Sequence, residues 1–63
     1  METEFTVEFY EEGKHCISFP VVAGSTLGAH DLGLGKLSDA NWQLAQDGDE
    51  ITYDEVRIIR GAR

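Results

Sequence analysis

The sequence predicts a small α+β domain. An antiparallel sheet, built from an N-terminal hairpin and a C-terminal β segment, is covered on one face by short helices. Three observations predict it. Phe5, Val7 and Phe9 alternate with Glu4, Thr6 and Glu8, the period of a half-buried strand. The chain closes on a β-branched run: Ile51, Thr52, Val56, Ile58 and Ile59. Between them that alternation stops, four glycines fall at 24, 28, 33 and 35, and a helix-start signal follows at Ser38. With 63 residues there is room for one domain, spanning 1–63.

Each element has a local reason. Residues 3–10 form the first strand, rich in Phe, Val, Thr and Tyr. In Glu11-Glu12-Gly13-Lys14, Gly13 accepts positive φ, which predicts a tight turn with a glycine bulge. Residues 14–22 form the second strand, with His15, Ile17, Phe19 and Val21 on one face and Cys16 and Ser18 on the other. Pro20 has no N–H to donate, so this strand is an edge there or ends there.

In residues 23–37, Ser25 caps a short helical turn through Asp31, weakened by Gly28. Residues 31–37 read as a loop pinned by Leu32, Leu34 and Leu37. Ser38 as N-cap with Asp39 in the first turn predicts a helix over 39–46, ended by Gly48. An extended Trp42-Gln43-Leu44 segment entering an Asp47-Gly48 turn is the alternative. Trp42 is placed in the core, with an interface anchor as the other reading. In residues 50–60, Ile51 and Tyr53 share one phase and Val56 and Ile58 the other, so a bulge or turn falls at Asp54-Glu55. Thr52-Tyr53-Asp54-Glu55 also matches a capping box, so a helix over 53–60 competes. Val-Arg-Ile-Ile favours the strand.

Composition limits function. Hydrophobic residues make up 41% and charged residues 27%, which is not the balance of a disordered chain. The formal charge is −7, from 12 acidic and 5 basic residues. A binder of phosphates needs Lys and Arg, so direct nucleic-acid binding is not expected, and neither is an anionic membrane surface. No run approaches about 18 apolar residues, and Met1-Glu2-Thr3-Glu4 lacks the basic and apolar regions of a signal peptide. The expected setting is the cytoplasm, as a monomer.

Sites of chemistry are weakly signalled. Cys16 is the sole cysteine, so no intrachain disulfide forms. His15 and Cys16 are adjacent on a strand and point to opposite faces, which opposes joint metal ligation. His30-Asp31 is the other pair of metal-ligand types. Gly24-Ser25-Thr26-Leu27-Gly28 lacks the Gly-Lys-Ser/Thr ending of a phosphate loop. Asp47-Gly48-Asp49-Glu50 is too short for a calcium loop. So short a chain has little volume for a catalytic cleft. No catalytic residue, cofactor or metal is expected, and the protein is read as a non-enzyme.

The acids carry the functional expectation. Glu2, Glu4, Glu8, Glu11 and Glu12 lie in the first twelve residues without a base. Asp47, Asp49, Glu50, Asp54 and Glu55 lie within nine residues, again without a base. Arg57, Arg60 and Arg63 make the tail basic. On a strand, residues i and i+2 are about 6.7 Å apart on one face. Glu2, Glu4 and Glu8 are therefore expected as a solvent-facing row, with a pitch of the order of neighbouring phosphates. The expected partner is a Lys/Arg-rich DNA-binding groove on a protein complex. The candidate contact residues are Glu4, Glu8, Tyr10, Glu11, Glu12, Asp47, Asp49, Glu50, Asp54 and Glu55, with Tyr10 supplying an aromatic contact. The competing reading is a charged, solubilising surface.

Two resemblances extend this. The order of hairpin, helical region and second β segment resembles ubiquitin-like β-grasp carriers, which end in a reactive Gly-Gly; here the end is Gly61-Ala62-Arg63. In size and in its two acidic segments, Glu2 to Glu12 and Asp47 to Glu55, the chain also resembles small phage anti-CRISPR proteins. That resemblance is one of character, without a shared motif. It implies a stoichiometric inhibitor, of a type I CRISPR effector in the first instance, that blocks or mimics DNA without a cofactor. A phage or bacterial interaction module and a carrier are the alternatives.

Overall fold

The alternation in residues 3–10 becomes strand β1 (Thr3–Glu11), and its partner is β2 (Lys14–Ala23). One helix, α1 (Thr26–Ala45), follows, and β3 (Glu55–Arg60) completes the sheet. This is a computed structural model, and it describes residues 2–61. The expectations attached to Met1, Ala62 and Arg63, among them the basic end of the tail, lie outside the described residues. The sheet order is β2-β1-β3 and both pairings are antiparallel, so β1 is central and the fold is α+β.

The hairpin turn is Glu12-Gly13, closed by the pair Glu11↔Lys14. Both residues have positive φ, 51° and 78°, the requirement of a type I′ turn. The glycine therefore serves the turn itself. The irregularity lies farther along: Tyr10 pairs with His15 and Phe9 with Ile17, so Cys16 is the extra residue of a bulge. This corrects the expected facing of β2. His15 shares the face of Tyr10, with the rings edge to face at 5.5 Å, and of the four residues expected on the apolar face Ile17, Phe19 and Val21 point to the core. Pro20 lies on an edge strand, where its missing donor leaves the β1 ladder intact.

The middle of the chain departs most from expectation. The structure has one helix of 20 residues where the sequence predicted a capped turn, a loop over 31–37 and a separate helix over 39–46. Ser25 is the N-cap, its Oγ accepting from Gly28 N at 3.1 Å, and Ser38 lies inside the helix. The interior glycines cost roughly 1 kcal/mol each relative to alanine. Packing offsets this at Gly33. A Cβ there would stand 2.5 Å from Val7 Cγ1 and 2.8 Å from Val7 Cβ, so glycine lets helix and sheet approach closely. Ala29, Gly33 and Leu37, four residues apart, form the buried stripe.

This stripe and the inner face of the sheet make the core: Phe5, Val7, Phe9, Val21, Ala23, Ala29 and Leu37, flanked by Ile17, Phe19, Leu34, Ile51, Val56 and Ile58. Phe9 is fully buried between Phe19 and Tyr53, with ring centroids at 6.1 and 5.0 Å. Trp42 is not in the core. It is 66% exposed, because extending the helix to residue 26 turns that position away from the sheet. Among the described residues no helix is long and apolar enough to cross a membrane.

Candidate functional site

The second strand leads away from the Glu12-Gly13 turn, and a 20-residue helix runs back about 30 Å. The C-terminal end of α1 therefore returns to the turn end of the molecule. Gly48, with φ 80°, closes the helix: Gly48 N donates to Ala45 O at 3.1 Å and Asp49 N to Leu44 O at 3.0 Å. Asn41 then ties the following segment to the helix. Its Oδ1 accepts from Ile51 N at 2.7 Å and its Nδ2 donates to Ile51 O at 3.0 Å.

The segment after Ile51 is fastened to the hairpin tip. Thr52 Oγ1 donates to Glu11 Oε2 at 2.5 Å, so Thr52 does not cap a helix. The Cys16 thiol lies 3.6 Å from Thr52 O. Glu12 N donates to Asp54 Oδ2 at 3.1 Å, and Asp54 N to Tyr10 O at 2.9 Å. The expected slip at Asp54-Glu55 is the point where this link becomes β3, and the capping-box helix does not form.

Seven predicted contact residues thus gather at one end: Glu11 and Glu12 at the hairpin tip, Asp47, Asp49 and Glu50 after the helix, and Asp54 and Glu55 at the start of β3. The negative end of the helix dipole points into the same region, and no basic residue occupies the last turn of α1. The bases nearby are Lys14, opposite Glu11, and Arg57. Arg57 Nε donates to Glu55 Oε2 at 2.8 Å, and this bond raises the guanidinium pKa further.

Three expected site residues belong elsewhere. Glu4 is exposed but lies toward the far end of β1. Glu8 is 3% exposed, which corrects its place in a solvent-facing row. It sits on the central strand, opposite Arg57, and accepts from Tyr10 Oη at 3.1 Å. Tyr10 is half-buried and already engaged, with the Arg57 guanidinium 4.2 Å from its ring centroid. The row Glu2, Glu4 and Glu8 is therefore broken by burial of its last member.

Sequence reading missed Asn41 and the exposed position of Trp42. Both become visible once 26–45 is read as a single helix, because Asn41 then borders the buried stripe and Trp42 opposes it. Of the metal-ligand types, His30 Nδ1 lies 3.7 Å from Asp31 Oδ1. Among the described residues no three His, Cys, Asp or Glu side chains gather as a metal-binding group. No protein-family model matches the chain, and no curated protein or solved structure matches it at a significant level.

Proposed function

We propose that this protein is a stoichiometric inhibitor of a nucleic-acid-binding complex, with a type I CRISPR effector as the first target to test. It offers its acidic end to a Lys/Arg-rich groove that otherwise holds DNA. The observation that carries this reading is the gathering of seven carboxylates at the turn end of the molecule, with Asp47, Asp49 and Glu50 directly after the negative end of α1. Like charges at a helix C-terminus oppose folding, so their placement supports a role outside the fold. Binding of this kind is fast and weakens with salt, because the screening length falls from about 10 Å at 0.1 M to about 3 Å at 1 M.

The test is competition between this protein and duplex DNA for a purified type I effector, at low and high salt. Wild type is expected to displace DNA in a salt-sensitive manner. Asp49→Lys with Glu50→Lys is expected to lose displacement while circular dichroism stays unchanged. No displacement at any salt concentration refutes this target, and equal potency of the charge-reversed variant refutes the acidic end as the contact.

A further inference from the structure

Trp42 is the largest exposed apolar side chain among the described residues. At about 100° per residue it stands about 180° around the helix from Gly33, so it faces directly away from the sheet. Asp39, one turn earlier, is its neighbour on the helix surface, and Asp47 begins the acidic segment about 7.5 Å farther along the axis. From Leu37 through Val56 the chain carries six acids and no Lys, Arg or His. Lys36, three residues before Asp39, is the nearest base in sequence; beyond it, a cation on this part of the surface comes from elsewhere in the fold or from another molecule.

The same chain shows how it holds an arginine. Arg57 lies with its guanidinium 4.2 Å from the Tyr10 ring centroid while Glu55 accepts from its Nε at 2.8 Å. An aromatic face and a carboxylate share one guanidinium. Trp42 and Asp39 supply the same two components on the unpartnered face of α1, and indole is the stronger cation–π face.

We infer that Trp42 and Asp39 seat an arginine side chain of the partner protein. This rests on the acidic-end proposal and deepens it by naming an anchor and the residue type it takes. The carboxylates around it attract a basic surface in general. The indole face prefers the planar, weakly hydrated guanidinium to the compact ammonium of lysine.

Trp42 is the sole tryptophan, so its emission reports this site alone. The experiment titrates the full chain with an oligo-arginine peptide and with an oligo-lysine peptide of equal length, reading Trp42 fluorescence and, separately, calorimetric affinity. Oligo-arginine is expected to bind several-fold more tightly and to perturb the emission. Trp42→Ala is expected to weaken oligo-arginine by about tenfold and to erase the preference, with Trp42→Phe in between. If both peptides bind equally, leave the emission unchanged and ignore Trp42→Ala, while Asp49→Lys with Glu50→Lys abolishes binding, the anchor is refuted and the acidic end stands. If neither peptide binds wild type at low salt, both readings fail.

Discussion

The two faces of β1 remove different kinds of side chain from water, and by different means. Toward the helix, Phe5, Val7 and Phe9 are buried under Ala29, Gly33 and Leu37 in a packed second layer. On the opposite face Thr6 and Glu8 are also buried, at 4% and 3%, although no helix covers them. Their cover comes from within the sheet. Thr6 stands between Pro20 and Ile59, and Glu8 between Ser18 and Arg57. Thr6 Oγ1 donates to Gly61 O at 2.9 Å, and the Tyr10 hydroxyl donates to Glu8. One face is thus stabilised by shape and the other by hydrogen bonds and opposed charges, so the two respond to different substitutions.

The largest effect is expected on the covered face. Gly33→Ala places a methyl where Val7 already stands, and Val7 is fully buried in the central strand. The helix must lift or the strand must shift, at a cost of about 3 kcal/mol. Domains of this size hold only about 3–5 kcal/mol in their core, so the expected outcome is a largely unfolded chain by circular dichroism and denaturant titration. A Gly33→Ala midpoint equal to wild type would mean that the close approach is absent.

On the open face the expected loss is smaller. Glu8→Ala removes a buried acceptor and leaves the Tyr10 hydroxyl and Arg57 to rearrange toward nearby water, costing about 1.5 kcal/mol in urea unfolding. The same residue therefore makes a poor probe of binding, since any charge reversal at Glu8 damages the fold first. If Glu8→Ala proves neutral, the buried carboxylate contributes nothing net and the contrast between the faces disappears.

Gly35 tests whether the glycines of α1 share one cause. Unlike Gly33, its Cβ direction meets nothing within 4 Å. Gly35→Ala is expected to stabilise by about 1 kcal/mol, the helix-propensity difference alone. Opposite signs at two positions in the same helix also explain what was legible in the sequence. Strand alternation in Phe5, Val7 and Phe9 is a local signal, and with Gly13 it located β1, the turn and the hairpin. The helix was legible only in fragments, at Ser25 and Gly48, because local propensity reads Gly28, Gly33 and Gly35 as breaks. The reason for Gly33 lies in Val7, far along the chain. Glu8 misled for a similar reason: alternation assigns it a face, but burial on that face depends on β3, whose pairing partner is invisible to a local pattern. The gathering of Glu11 and Glu12 with Asp54 likewise depends on that pairing, so the sequence located both acidic segments without joining them.

The acidic end sharpens the same contrast at lower energy. Asp47 and Asp49 flank Gly48 where α1 closes, near the backbone carbonyls that form the negative pole of the helix. Asp47→Asn and Asp49→Asn each remove a charge from that pole and from repulsion with Glu50, so each is expected to stabilise the fold by about 0.5 kcal/mol. The gain should shrink as salt rises, because these groups are exposed and screened. At the buried sites, Gly33→Ala and Glu8→Ala, salt should matter far less. If the same two neutralisations also weaken displacement of DNA from the effector, stability and binding move in opposite directions at these positions, as expected when charge is held against the preference of the fold. If they stabilise without weakening displacement, the carboxylates of residues 47–49 serve solubility, and the contact lies with Glu11, Glu12, Asp54 and Glu55.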